Sequence, residues 1–501
     1  MAQKLVTNNS GGMNNKVSPI ILKDSECELI LNYHLDEVGA FTKRRGYTVF
    51  ASQPADGKTI FGIGQFAKTS TNVDNFAFMV ANNSADTNTT IYANDGGTWT
   101  SVDTIATARG TNSNFQRIRF LNFVDYLFRI DPLSVVETSI DGTTWATTNA
   151  PATIVPSFGA VFQDRVYLAN DNRSGANKEG SRVYFSSLPS AGAITWTTAT
   201  DFFDVNPDDG DEITALENNG NRLLIFKNRA LYRWTFGQTE ADRLIGVGTA
   251  SQECVKTNFD LGITFFANEY GAYAYDGGRP KLISRKMQKW FDAAAVGSRN
   301  FAAEVDEDHY FLYIGDSISV EFMGETRVFT NVMLVYTISL DAWTVYTLNV
   351  PVRVMGKILD IDGDGDIDAS DMQIIIFGST TGRTYRWDNG NSDDSGGASE
   401  NTATNIAGEI ITKEHFLSFP EKSVIKYVDV IARQGQSANV QIFYDRNVDP
   451  KPLGNLTGRI SSFNGRGKEI NSVQLRITDN SQVQSIIEGF NFEYEPNEKR
   501  K

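Results

Sequence analysis

A turn closed by a tryptophan recurs along this chain. Asp95-Gly96-Gly97-Thr98-Trp99-Thr100 is echoed by Asp141-Gly142-Thr143-Thr144-Trp145-Ala146, and Thr195-Trp196-Thr197 follows. Tyr232-Arg233-Trp234, Tyr273-Ala274-Tyr275-Asp276-Gly277-Gly278, Ala342-Trp343-Thr344 and Tyr385-Arg386-Trp387 end similar stretches. One aromatic-plus-turn per roughly 40–50 residues is the period of a blade of about four short antiparallel strands. Such a blade cannot bury both of its faces alone. Stacked radially, blades bury them against one another, with the aromatics filling the gaps. The expected fold class is therefore all-β, a six- or seven-bladed β-propeller, with a small C-terminal β-sandwich after it.

The intervening sequence agrees. Short alternating runs bounded by Gly, Asn, Asp and Thr read as antiparallel strands: Thr59–Lys68, Asn75–Ala81, Thr90–Ala93, Gln116–Asn122, Asp125–Ile130, Arg165–Leu168 and Arg182–Ser186. Thirty-two Phe and 18 Tyr favour strands over helices. The most helical window is Arg285–Phe301, where Met287, Trp290, Phe291 and Ala294 fall at three-to-four spacing. No stretch approaches the ~20 consecutive apolar residues of a membrane-spanning helix. Met1 to Lys16 is polar, without the apolar core of a secretion signal.

These signals divide the chain into an arm at 1–40 packing on the propeller, the propeller at 41–390, a polar linker at 391–407, the sandwich at 408–495 and a charged tail at 496–501. The sandwich rests on the alternating runs Glu409–Thr412, Ile425–Ala432, Asn439–Tyr444, Val473–Ile477 and Phe490–Tyr494.

One stretch implies a specific chemistry. Asp360 to Asp371 reads D-I-D-G-D-G-D-I-D-A-S-D, with carboxylates at loop positions one, three, five, nine and twelve: Asp360, Asp362, Asp364, Asp368 and Asp371. Gly365 at six permits the sharp turn, and Asp366 at seven offers its backbone carbonyl. Six aspartates packed into so short a loop repel one another unless a cation sits among them. The expectation is a structural Ca2+ site on an insertion at 359–373. Asp371 replaces the usual bidentate glutamate, as in the dockerin loops this segment resembles. An acidic, solvated turn is the competing reading.

The remaining composition mostly excludes. A net charge of −15 argues against a nucleic-acid binder working by counterion release. Cys27 and Cys254 are the only cysteines, and two buried thiols are expected rather than a disulfide. His34, His309 and His415 are scattered, which disfavours a His-rich metal site. Asp208-Asp209-Gly210-Asp211 reads as a turn and Asp306-Glu307-Asp308-His309 as a hairpin tip.

The order of several motifs resembles a family. Gly39-Ala40-Phe41-Thr42-Lys43-Arg44-Arg45-Gly46-Tyr47 is similar to an opening found in tailed-phage proteins of the tail hub or nozzle kind. Val161-Phe162-Gln163-Asp164-Arg165-Val166-Tyr167, Gly210-Asp211-Glu212-Ile213-Thr214-Ala215-Leu216 and Leu223-Leu224-Ile225-Phe226-Lys227-Asn228 follow in the same order. So do Gly271-Ala272-Tyr273-Ala274-Tyr275-Asp276-Gly277-Gly278 and Gly489-Phe490-Asn491-Phe492-Glu493-Tyr494-Glu495. The family is also described as packaged-DNA stabilisation proteins. The resemblance implies a non-enzymatic virion structural protein of the phage tail, made in the host cytoplasm. It further implies a homo-oligomer, a hexamer in the virion, that continues the portal–adaptor channel at the head–tail connector. An adaptor would sit above it and a tail fibre or needle below, with DNA retained and then passed on ejection without sequence-specific binding. The aspartate loop is not a feature of that family.

Two other readings fit a propeller. A carbohydrate- or protein-binding adhesin suits the sandwich and the calcium loop. A propeller glycoside hydrolase is suggested only by the turns at Asp95–Trp99 and Asp141–Trp145, which resemble the Asp-box of sialidases but are one residue too short. Asp-boxes are structural turns, and such an enzyme also needs two carboxylates across a cleft.

Overall fold

The computed structural model describes the chain apart from residues 37–38, 55–57, 67, 69–75, 95–97, 111–115, 174–177, 323–324, 360–372, 395–401, 419–420, 435–436, 446, 448, 466, 468 and 497–501, and apart from the side chains at 296, 298 and 434. The fold is an all-β propeller. Six small sheets form blades. In chain order their innermost strands are Ile60–Phe66, Arg119–Phe123, Pro156–Phe162, Ile213–Asn218, Lys256–Asn258 and Val352–Leu359. Between the last two, Ala302–Val305 occupies a further place beside the axis, packed against both neighbours. It begins the run Ala302–Val305, His309–Phe322, Glu325–Thr337 and Ala342–Thr347, which stands in the ring as a blade but continues into a larger sheet.

Hydrophobic cores lie at each junction around this ring. Phe78, Val80, Ile118 and Leu127 join the first two blades. Phe158, Tyr167, Leu216 and Trp234 join the third and fourth, where the Trp234 ring stacks on Phe203 at 4.3 Å. Tyr313, Met333, Phe377 and Tyr385 join the sixth place to the last blade. Because both faces of a blade are covered, its middle strands can be buried along their whole length, whereas an outer strand such as Trp99–Ile105 stays mostly exposed or half-buried. Leu223–Lys227 is buried at every position. Trp99 donates its indole N–H to Thr384 Oγ1 at 3.1 Å, linking the first blade to the last.

The last blade is completed by the other end of the chain. Its strands Val352–Leu359, Gln373–Ser379 and Thr384–Arg386 take Thr48–Val49 as their outermost partner, in the register Tyr385↔Val49. The ring is thus closed by backbone hydrogen bonds between segments far apart in sequence. Tyr47, fully buried, lies against Phe377, Tyr385 and Trp387 at that seam.

The terminal regions form a sandwich that is continuous with the propeller. The large sheet has eleven strands. From Ala342–Thr347 it passes to Glu26–Leu31, Gly408–Thr412, Ser472–Asp479, Asn439–Tyr444 and Lys451–Asn455. The facing sheet carries Tyr33–Leu35, Phe41–Lys43, Ile486–Pro496, Ser423–Gln434 and Ile460–Asn464, with Ala2–Val6 paired to Ile486–Pro496. Val428, Val430, Phe490 and Phe492 of one sheet meet Val440, Ile442, Leu475 and Ile477 of the other in one core. Of the segment expected as an arm, Ala2–Val6 and Tyr33–Leu35 join the facing sheet and Gly12–Met13 and Glu26–Leu31 the large one, while Gly11 and Glu26 both meet Lys286. The polar stretch 391–407 pairs with itself at its ends, Ser392–Asp394 against Ala403–Asn405.

Local signals account for other features. The window at 285–300 forms a short helix, Gln288–Ala294, flanked by 3-10 turns. Its Trp290 packs on Phe329 and Phe322 of the long hairpin. Cys27 and Cys254 are free and buried. Among the described residues no helix is long and apolar enough to cross a membrane.

Candidate functional site: the propeller channel

The innermost strands run side by side around the axis and leave a channel of about 590 Å3. Close approach is built in by glycine. A Cβ at Gly62 would stand 2.3 Å from the Ile118 carbonyl oxygen, and one at Gly159 would stand 2.2 Å from Ile130 Cδ1. Side chains at these positions would push neighbouring blades apart.

Near the end where the inner strands begin, Arg119 reaches across the lumen. Its Nη2 meets Glu253 Oε1 at 3.0 Å, joining the second blade to the turn before the fifth. On the way its Nη1 donates to the Ser157 carbonyl at 2.9 Å, and its guanidinium lies 4.8 Å from the Phe158 ring centre. Burial pushes the Glu253 carboxyl up, but Arg119 and Arg117 outweigh it and hold the group below the ordinary carboxylate range. Deeper in the channel, Lys256 Nζ donates to Glu304 Oε2 at 3.0 Å. Burial alone would lower the Lys256 pKa, and the charges of Glu304 and Glu253 raise it instead. Glu217 faces the same space. Burial pushes its carboxyl up to about 7, against a hydrogen bond from Thr257 and the charge of Lys256.

At the far mouth the channel meets a groove of about 790 Å3. Phe259, Asp260, Asp306, Glu307, Asp308 and His309 line it. Phe259 is 65% exposed and Leu261 51% exposed. Asp306 receives the His309 backbone N–H and stands 3.2 Å from its ring Nδ1. Burial would lower the His309 pKa, but Asp306 raises it above the ordinary histidine value. The segment expected to be a hairpin tip is thus the turn between Ala302–Val305 and His309–Phe322, and it faces this groove.

The calcium-loop residues Asp360, Asp362, Asp364, Asp366, Asp368 and Asp371 lie outside the described residues. Their flanks are placed: Leu359 pairs with Gln373 at the end of a hairpin, and Gln373 and Lys357 line the groove. Among the described residues no group of three or more His, Cys, Asp or Glu is placed to hold a metal ion. Of the aspartates at 208–211, Asp208 and Asp209 lie in the 3-10 turn Pro207–Asp209, where Asp209 meets the fully buried Lys227 ammonium at 2.8 and 2.9 Å. A lysine fills the place a cation would take.

Arg119, Glu217, Glu253, Lys256 and Glu304 were not apparent from sequence. They sit in short strands and turns spread over most of the propeller. The available signal was weak: a lone charge inside an otherwise buried run, as at Glu304 in Ala302–Val305. What the channel offers chemically is the buried Glu217 carboxyl, pushed up to about 7, beside the Arg119–Glu253 and Lys256–Glu304 pairs.

No protein-family model matches the chain, and no curated protein does. Among solved structures the chain is similar to YCF48 bound to a D1 peptide, at 9% identity and a TM-score of 0.39, over 68% of this chain and 94% of that one. It is also similar to two structures of the extracellular domain of BT4673 from B. thetaiotaomicron. These have identities of 10% and 9% and TM-scores of 0.38 and 0.40, over 68% and 80% of this chain. The chain spans 40% and 44% of those two structures. At these scores the likeness carries no argument about function.

Proposed function

We propose that this protein is a structural component of a phage tail, a hub or nozzle subunit without catalytic activity, which assembles as a sixfold ring below a portal and adaptor. The observation that carries the reading is the one-piece build. The eleven-stranded sheet runs from the propeller into the sandwich, and the N-terminal strands are sewn into both. A part that must hold back packaged DNA needs rigid coupling between the surface docked above and the surface docked below. Swinging modules would defeat that. The order of sequence motifs supports the same reading. The overall acidity suits a wall past which DNA must slide, because cationic walls would retain phosphate. Ca2+ in the aspartate loop would serve structure.

Mixing the purified protein with its portal–adaptor assembly and weighing the product tests this reading. A complex with six copies per adaptor ring is expected. Free monomers persisting alongside the intact adaptor would overturn it. A second reading, a protein-binding propeller adhesin, is favoured by the exposed Phe259 and Leu261 beside the groove. Loss of host-cell adsorption on Phe259→Ser, with ring assembly intact, would favour that reading.

A further inference from the structure

A cavity of about 430 Å3 lies where the sandwich meets the propeller, a volume in the range of small-molecule sites. Its floor belongs to the eleven-stranded sheet, where Glu26–Leu31, Gly408–Thr412 and Ser472–Asp479 run side by side. Glu28, Gln474 and Glu414 line it and are 6%, 5% and 4% exposed. The orientation of the Gln474 amide is fixed, because its nitrogen faces two acceptors, Glu28 Oε2 and the Thr412 carbonyl, both at 2.7 Å. Both amide protons are thereby spent. Among the described residues nothing donates to the amide oxygen. That oxygen is not sealed among packed atoms, and the open space beside the residue is this cavity. Glu414 Oε1 accepts from the Ser472 hydroxyl at 2.5 Å, and a carboxylate has room for further donors. Asn15, also buried here, spends its amide on the Lys286 carbonyl and the Trp290 indole N–H, both at 2.8 Å. Charge points the same way as the acceptors. Glu28, Glu321 and Glu414 line the cavity against Lys16 and Lys289, an excess of one negative charge. Both lysines are exposed, on the solvent side, with Lys289 Nζ donating to the Glu321 carbonyl at 3.4 Å.

We propose that this cavity binds a small organic cation through an ammonium or guanidinium head, seated on Glu28, Glu414 and the Gln474 amide oxygen. Such a head carries several N–H donors on one positive charge, which matches two carboxylates and an open amide oxygen. A metal ion matches less well, since among the described residues no three acidic or histidine side chains are placed to hold one. The buried Phe322 on the wall gives an alkyl stem an apolar contact. The two exposed lysines repel the ligand and limit its affinity. This site is independent of the tail reading and stands or falls without it.

The test uses the intact protein and two probes, n-butylammonium and methylguanidinium, each titrated at constant ionic strength against sodium chloride. Tetramethylammonium, a cation without N–H donors, is the control. Saturable heat in calorimetry and a saturable rise in melting temperature are expected for at least one probe and not for the control. A response to n-butylammonium alone identifies an ammonium site, and a response to methylguanidinium alone a guanidinium site. Glu28→Gln is expected to weaken binding at least 10-fold. Lys289→Met, which removes an exposed repelling charge, is expected to tighten it several-fold. No saturable response to either probe would overturn the proposal. So would tetramethylammonium binding as tightly as the probes, or equal affinity in Glu28→Gln. Should that variant fail to fold, unchanged or weaker affinity in Lys289→Met would overturn it instead.

Discussion

Arg44 places its two terminal nitrogens on the two carboxylate oxygens of Asp393, at 2.7 and 2.5 Å, with both side chains almost wholly buried. The same guanidinium donates to Asn32 Oδ1 and to the carbonyls of Arg45 and Thr347. One side chain thus ties the opening segment, the sixth place of the ring and the chain beyond the last blade. Removing either partner leaves the other charge buried and unmatched, which costs about 3–5 kcal/mol. Arg44→Met and Asp393→Asn are each expected to lose that much in urea unfolding. The double variant is expected to lose less than the two added together.

Trp234 is the largest side chain between the third and fourth blades, 2% exposed, stacked on Phe203 and edge-on to Tyr167 at 5.7 Å. Trp234→Ala should cost about 3–5 kcal/mol. Trp234→Phe keeps the stack and should cost markedly less. Thermal melts of the two variants distinguish a packing role from a surface one.

Glu217 predicts a pH dependence whose sign is fixed. Its folded pKa of about 7 lies above the ordinary glutamate value of 4.5, so the folded state holds the proton more tightly. The stabilisation is complete below about 4.5 and is lost as the pH rises through 7. Wild type should therefore fall behind Glu217→Gln between pH 5 and 8, by up to about 1.4 kcal/mol per pH unit. Urea midpoints at several pH values check this, and parallel curves for the two proteins would refute it.

Val124 and Asp125 form a two-residue turn with φ of 50° and 59°. Both angles suit the mirror-image turn that joins twisted strands, but a β-branched residue is strained there. Val124→Asn is expected to stabilise by about 0.5–1 kcal/mol, read as a higher melting temperature.

The aspartate loop predicts a calcium response. Melting in Ca2+ and in chelator should differ for wild type and not for Asp360→Ala or Asp364→Ala. Identical melting of all three proteins in both conditions would remove calcium from the account.

Much of the fold was readable because propeller signals are local. A run such as Leu223–Lys227 followed by Tyr232-Arg233-Trp234 carries its strand, turn and packing aromatic within a few residues. The pairings that complete the molecule are not local. Nothing within Glu26–Leu31 says that it lies between Ala342–Thr347 and Gly408–Thr412, and nothing within Thr48–Val49 says that it closes a blade beginning at Val352. The channel was illegible for the same reason. Arg119 and Glu253 become neighbours only when the ring closes, whereas the aspartates at 360–371 announce a chemistry by spacing alone.

The shared eleven-stranded sheet also decides how the molecule bears force. Glu26–Leu31 meets the sandwich strand Gly408–Thr412 along a ladder but the blade strand Ala342–Thr347 at the single pair Val345↔Leu31, so a load applied to the sandwich reaches the propeller through one short backbone junction. Asn32 reinforces that junction, its backbone N–H donating to the Val345 carbonyl at 2.8 Å while its side chain bonds Thr347. The load therefore concentrates at Leu31 and Asn32, and trimming away the C-terminal strands would bare the edge of Glu26–Leu31.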